Sequence, residues 1–346
     1  MVIQTSPIEG FFLTSDDNLL FDVKGLSHPQ NRIISFVRYV PHRFFPNKNM
    51  LVRKKGYIKI YDLAARYAFL EKYFPHYLFN DPQGRGTLQA VPNEKIQQIH
   101  NPLMRLQEII QQKETSLTPI ELITKTIWEE ITKKIPAITT AIGISGSVLV
   151  NLETKDSDID LVVYGRKAGK LVYEIMSEIF ATENKIRRYK QSELRQLWHT
   201  RGQTTQIGFS NFVNLESHKN LQGKIHGRDF YIRLVLLPSE FPEPYTQTTI
   251  QNLGEIECHA VIADATKSIF TPCIYELQSA RYLTDNLENY PAPKRLFSLR
   301  GRYCELFTKG EKIHVSGKLE KVSIKKQKPF LQITLGTLPH EFIKKI

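Results

Sequence analysis

The sequence predicts a multidomain α+β protein: an N-terminal α+β unit (1–95), an α/β core with preceding helices (97–238) and a mostly-β, small β-barrel-like C-terminal domain (250–346). Three patterns predict it. Only the stretch before Pro238 alternates strand and helix signals with an α/β rhythm. The segments preceding it are short, alternating and apolar, around a single helical stretch. After it, helical periodicity nearly vanishes and short extended segments recur between turns. A chain of 346 residues is also long enough for two or three domains.

In the N-terminal unit, Leu19–Val23, Arg32–Val40 and Tyr57–Ile60 alternate as strands do, and Leu63–Tyr73 has helical periodicity. Asn80–Asn93, dense in Gly and Pro, reads as a loop or linker. From Gln97 the pattern turns helical, with Ile99, Leu103, Leu106 and Ile110 at three- and four-residue steps. Thr118-Pro119, with Glu121 three residues after Thr118, starts a second helix that Pro136 stops after Lys134. There follow a strand ending at Ile144, a short helix over Val148–Asn151, a strand Ile159–Tyr164, a helix Lys167–Phe180, a basic helical stretch Ser192–His199 and an extended segment Phe230–Leu237. The C-terminal strands are Ile256–Ala263, Lys312–Val315, Leu319–Ile324 and Phe330–Leu335, with Gln278–Asn286 as a helical exception.

Composition excludes several classes. With 41% hydrophobic and 24% charged residues the chain can bury a core, so wholesale disorder is set aside. No apolar run approaches the roughly 20 residues of a membrane span, and Met1–Phe11 lacks an export-signal pattern, so a cytoplasmic protein is expected. Three widely spaced cysteines, Cys258, Cys273 and Cys304, fit neither a disulfide framework nor a zinc site. The net charge of +12 is clustered: eight Lys/Arg and no acid from Arg32 to Lys59, six basic residues from Lys185 to Arg201 and seven from Lys309 to Lys328. Such clusters suit polyanions, RNA among them; solvated surface charge is the plain alternative.

The chemistry concentrates in Gly143-Ile-Ser-Gly146-Ser147, ten residues, then Asp158-Ile-Asp160-Leu161. Side chains alternate along a strand, so Asp158 and Asp160 share a face while Ile159 and Leu161 point into the core. Two adjacent carboxylates repel unless hydrated, protonated or bridged by a cation, and magnesium or manganese suits oxygen ligands that it shares with phosphates. A Gly-Ser turn opening a helix offers backbone N–H groups and a hydroxyl to phosphate oxygens.

Together these motifs resemble the signature of the DNA polymerase β-type nucleotidyltransferases. The whole chain also resembles an archaeal group of predicted nucleotidyltransferases, through Ser298–Glu320 (SLRGRYCELFTKGEKIHVSGKLE) and Ile33–Tyr39. The resemblance implies a polymerase β-like nucleotidyltransferase core that moves a nucleotide from a metal-bound nucleoside triphosphate to a hydroxyl, releasing pyrophosphate. It implies Asp158 and Asp160 as metal ligands, Gly146 and Ser147 as nucleotide-binding residues, and a third carboxylate on a later strand.

On Phe230–Leu237 the nearest acid is Asp229, and Arg233 stands where an acid is expected. Two readings stay open: Asp229 is the third catalytic and metal-binding carboxylate and Arg233 binds triphosphate, or the third ligand is missing and the protein binds nucleotide or RNA with weakened catalysis. Glu255 and Glu257 are further acids on the following segment. Arg187 and Arg188 suit triphosphate contacts, interleaved as they are with Tyr189 and Trp198, although Trp198 reads better as core. Lys318–Lys328 reads as a basic strand-turn-strand, which also guards a sheet edge. His226 and His259 read as structural. Modification of a protein hydroxyl is a third function class.

Overall fold

The structure, a computed structural model, describes residues 6–45, 51–182, 185–201, 207–284, 290–338 and 340–346. Lys48 of the first basic cluster, Met1–Thr5 and the end of the expected Gln278–Asn286 helix, residues 285 and 286, lie outside the described residues. The architecture is mixed α and β with several sheets. The chain forms two compact units, one of residues 1–82, 86–175 and 224–246, the other of 83–85, 176–223 and 247–346.

In the first unit, β1 (Phe12–Ser15), β2 (Leu20–Val23), β3 (Arg32–Pro41), β4 (Tyr57–Lys59), β5 (Leu78–Asp81), β6 (Gly86–Pro92) and β7 (Ile96–His100) form a sheet in the order β5-β6-β3-β2-β1-β7, with β4 on β3. Helix α1 (Leu63–Tyr73) is capped by Asp62, whose carboxylate accepts the Ala65 N–H at 2.7 Å. In β3, Ile33, Ser35, Val37 and Tyr39 are buried. Leu20 pairs with Tyr39 but Phe21 with Val37, so Arg38 is the extra residue of a bulge, a device that re-aims a side chain.

Two expectations are corrected here. Asn80–Asn93 is not a linker: β5 and β6 make a hairpin in which Asp81 pairs with Gly86 and Leu78 with Gln89. The Gly and Pro residues mark its turn, and Gln89 is buried, accepting the Val37 N–H at 3.0 Å. Ile99 is not on a helix but on β7, which pairs with β1. Helix α2 (Pro102–Gln111) begins only where Asn101 accepts the Leu103 N–H at 2.9 Å and Pro102 takes the first position.

Helix α3 (Pro119–Lys134) opens on the expected capping box: Glu121 accepts from the Thr118 N–H at 2.8 Å and Thr118 Oγ1 accepts from the Glu121 N–H. The core follows with β8 (Ile142–Ile144), the one-turn helix α4 (Gly146–Leu149), β9 (Ile159–Tyr164) and α5 (Arg166–Ala181). After β10 (Ile186–Arg187), α6 (Gln191–Arg201) and α7 (Phe209–Glu216), the strands β11 (Gln222–Ile225) and β12 (Arg228–Val235) complete a sheet running β11-β12-β9-β8.

Here β9 is antiparallel to β8 and parallel to β12. Ile159, Leu161, Val162 and Val163 are all buried, as expected for a strand covered on both faces. Gly143 lets α2 close on β8: a β-carbon there would lie 2.7 Å from the Pro102 carbonyl carbon.

The second unit contains β13 (Thr248–Asp264), β14 (Phe270–Thr271), β15 (Cys273–Tyr282), β16 (Arg295–Ser298), β17 (Lys312–Ile324), β18 (Phe330–Leu335) and β19 (Phe342–Lys345). Their order is β13-β15-β16-β18-β17-β19, and β13 pairs with β17 as well. The expected helix from Gln278 is instead the end of β15, where Gln278 pairs with Val261 and Arg281 with His259. Cross-strand partners there override a weak local signal. Trp198 packs against this unit's core, as expected, donating to the Ile207 carbonyl at 3.0 Å. Cys258, Cys273 and Cys304 are buried and unpaired with one another. Among the described residues no helix is long and apolar enough to cross a membrane.

The capping box gives a stability test. Thr118→Ala removes the hydroxyl that accepts the Glu121 N–H and donates to the Glu121 carboxylate, leaving the Thr118 N–H bond in place, and is expected to cost about 1 kcal/mol in urea unfolding followed by circular dichroism. Thr126→Ala removes only a hydroxyl bonded to the Leu122 carbonyl on the exposed face of the same helix, and is expected to change stability by less than about 0.5 kcal/mol.

Candidate active site

Strand β9 begins at Ile159, so Asp158 sits at its mouth and Asp160 inside it. Asp158 is exposed and Asp160 half-buried. The turn after β8 closes directly on the second carboxylate: Ser145 N–H donates to the Asp160 carbonyl at 2.7 Å. Gly146 follows in the left-handed region at φ +61°, where a β-carbon would collide with the Asp160 Oδ2. Only glycine combines that backbone with that approach. Ser147 is 5% exposed, so little of it is open to a ligand.

The loop between the motifs is pinned at both ends. Leu152 N–H donates to the Ser147 carbonyl at 2.9 Å, and Arg53 Nη1 donates to the Leu152 carbonyl at 2.7 Å. Ser157 Oγ accepts from Thr154 N–H at 2.9 Å, and Arg228 Nη1 donates to the Ser157 carbonyl at 2.5 Å. Asp158 is thus delivered by a turn fastened by Arg53 from the β3–β4 connection and by Arg228 from β12.

On the neighbouring strand β12, Tyr231 is the register partner of Asp160 and Arg233 that of Val162. Asp229, Tyr231 and Arg233 alternate onto one face, as the spacing predicts. Arg233 is engaged by a buried carboxylate from the N-terminus of the chain, Glu9, which is fully inaccessible. Glu9 also accepts from Lys24 Nζ at 3.0 Å and from the Gly25 N–H at 2.9 Å. Lys24 in turn pairs with Asp22 at 2.8 Å. The strap carrying Glu9 is tied to the core sheet: Ser145 Oγ donates to the Gly10 carbonyl at 2.7 Å, and Tyr164 Oη to the Glu9 carbonyl at 3.1 Å.

The electrostatics follow. Burial, then the neighbouring Asp158, push the Asp160 carboxyl up to about 6; Arg233, Lys59 and Arg38 oppose the rise without cancelling it. Burial disfavours the charged form of Asp22, but Lys24 and then Arg233 hold it below the ordinary carboxylate value. Lys59 is pushed down to about 8 by burial and then by Arg38, with Asp158 and Asp160 opposing.

Arg38 and Lys59, with Arg233, therefore act electrostatically on Asp160, and Arg53 acts on Lys59; the sequence pattern singles out none of Arg38, Lys59 and Arg53 individually. The available signal was the acid-free basic run from Arg32 to Lys59, which lies on β3, β4 and their connection.

The other expected site residues are placed as follows. Asp229 is 50% exposed at its side chain and pairs with Lys224 at 3.0 Å. Among the described residues no three His, Cys, Asp or Glu side chains are grouped so as to hold a metal ion. Arg187 and Arg188 belong to the second compact unit. There Arg187 is held by Glu193 at 2.7 and 2.8 Å, and Arg188 donates to Asn220 Oδ1 at 2.5 Å with its guanidinium 4.6 Å from the Phe180 ring centre. Glu255 and Glu257 lie on β13, Glu257 against His314. His259 packs edge-on to His314 at 4.7 Å, and His226 sits in the β11–β12 turn.

The raised Asp160 fixes a pH signature. Its folded value, about 6, lies above the ordinary carboxyl value of 3.8 that holds in the unfolded chain, so its contribution to stability is full below that value and is lost as pH rises through 6. Asp160→Asn is therefore expected to raise the melting temperature of the metal-free protein at about pH 7.5. The gain should shrink as pH falls through 6 towards 4; an unchanged or larger gain at low pH would contradict the burial and repulsion described.

Residues 124–204, which carry both motifs, match the family model described as a nucleotidyltransferase domain. The chain is also 27% identical over 338 residues to the uncharacterized protein MJ1086 of Methanocaldococcus jannaschii, covering 96% of each chain. No solved structure matches it at a significant level. The stretch that carries the Gly-Ser and Asp-x-Asp motifs is thus similar to a nucleotidyltransferase domain.

Proposed function

We propose that the protein transfers a nucleotide from a nucleoside triphosphate to a hydroxyl acceptor, with Asp158 and Asp160 holding a divalent cation. The observation that carries this is Asp160 itself. Its carboxyl is driven up by burial and by Asp158 although three cations lie near it, and such an under-neutralised pair fits a hard cation with oxygen ligands. Magnesium or manganese bound there would neutralise triphosphate charge, the chief need in nucleotidyl transfer.

In the reaction the acceptor oxygen attacks the α-phosphorus, the bond from that phosphorus to the bridging oxygen breaks, pyrophosphate leaves, and the hydroxyl proton passes to solvent or a base. Gly146 leaves the face of Asp160 unobstructed, and the pinned Leu152–Ser157 loop holds Asp158 beside it. An RNA hydroxyl is the acceptor we favour, on the net charge of +12 and its clustering. A cytoplasmic location agrees with that acceptor. The circuit of strands β13-β15-β16-β18-β17, returning to β13, we read as the small barrel that the sequence suggests.

A specific observation favours a second reading, nucleotide binding with weakened catalysis: β12 sets Tyr231 beside Asp160, and Asp229 is paired with Lys224. Turnover decides between them. Purified protein with magnesium, α-labelled nucleoside triphosphates and pooled RNA is expected to label RNA and release pyrophosphate. Asp158→Asn and Asp160→Asn should each lower the rate by about a hundredfold or more, the loss of several kcal/mol of charge stabilisation. With its carboxylate tied to Lys224, Asp229→Asn should change the rate by less than about threefold. Triphosphate binding without any labelling would establish the weakened reading, and label on protein would replace the RNA acceptor.

A further inference from the structure

The N-terminal sheet brings to the carboxylate pair two cations that have no ionic partner of their own. Lys59 ends β4 and is the register partner of Tyr39 on β3; Arg38 is the bulged residue just before Tyr39. Among the described residues neither side chain makes a hydrogen bond or an ion pair. Both rest on aromatic rings. Lys59 Nζ is 4.9 Å from the ring centre of Tyr61 and 6.0 Å from that of Tyr39, and the Arg38 guanidinium is 5.7 Å from Tyr61. Tyr61 is 67% exposed, so this cationic surface is open. Below it Arg53, its guanidinium 5.5 Å from the Tyr39 ring, is buried with Nε lacking a hydrogen-bond partner among the described residues.

Like charges gathered in a partly desolvated place are unfavourable unless an anion joins them. Asp158 and Asp160 supply part of that compensation. Once the pair binds a divalent cation, its two negative charges are matched by the metal's two positive ones, and Arg38 and Lys59 are left without counter-charge. The missing component is a polyanion that arrives with the metal, which is the charge pattern of a metal-bound triphosphate. A planar guanidinium and a flexible ammonium side by side suit adjacent phosphate groups.

We propose that Arg38 and Lys59 form a clamp for the triphosphate tail of the substrate, with Tyr61 positioning both cations. The clamp rests on the nucleotidyl-transfer reading of Asp158 and Asp160, and it makes the N-terminal sheet part of the nucleotide site. It supplies from β3 and β4 the phosphate contacts that Arg187 and Arg188, committed to Glu193 and Asn220, do not offer.

The test is equilibrium binding of a non-hydrolysable nucleoside triphosphate with magnesium to the full-length protein. Arg38→Met and Lys59→Met are expected each to weaken binding by about tenfold, and Lys59→Arg to stay within about threefold of the unaltered protein. Manganese binding without nucleotide should be unchanged in all three. A measurement on the unaltered protein avoids any question of misfolding: inorganic tripolyphosphate with magnesium should slow acylation of Lys59, read by mass spectrometry, while Lys133 on the exposed face of α3 reacts as before. Full affinity in the Met variants alongside loss in Asp160→Asn would overturn the clamp and leave the nucleotidyl-transfer reading standing. Unslowed acylation of Lys59 would also overturn it. Absence of triphosphate binding in the unaltered protein would overturn both.

Discussion

Two carboxylates side by side at the mouth of one buried strand are the constraint around which the first unit is arranged. Their repulsion is paid for by packing: β9 is apolar from Ile159 to Val163 and buried throughout, apart from Asp160, between β8 and β12. The strand cannot slip by one residue without turning Asp160 into the core and Leu161 out of it. Gly146 then fixes how close the turn after β8 comes, because any side chain there would strike the carboxylate it faces.

The surrounding charges are ordered rather than merely basic. Glu9, wholly buried, holds Arg233 and Lys24, and Lys24 holds Asp22. Each of those cations has an acid of its own. Removing one member of such a buried group leaves its partner uncompensated, which typically costs about 3 to 5 kcal/mol; this makes the Glu9 strap a structural fastening. Among the described residues Arg38 and Lys59 have no such partner, and that difference is the ground on which the clamp is proposed.

What was legible in the sequence was local. The Gly-Ser turn and Asp158/Asp160 needed only spacing and strand alternation, and the Thr118 capping box needed only four consecutive residues. What was not legible depended on distant pairing. Asn80–Asn93 looked like a linker because its Gly and Pro residues dominate the composition, although they mark a hairpin turn. Gln278 looked helical until cross-strand partners on β13 were in view. Arg38 and Lys59 come within electrostatic range of Asp160 through a bulge in β3 and the register of β4, neither of which leaves a local signature. The acid-free basic run announced that region without saying which face carried it. Asp229 is the nearest acid on the expected strand, and its place in the sequence could not reveal Lys224, across the β11–β12 turn, as its partner.

In the proposed function Asp158 and Asp160 together bind one divalent cation that a triphosphate then shares. Manganese titration followed by electron paramagnetic resonance tests it directly. Saturable binding is expected that tightens when a non-hydrolysable triphosphate is added and is lost in both Asp158→Asn and Asp160→Asn. Manganese binding that is absent, or that survives unchanged in those two variants, would contradict it.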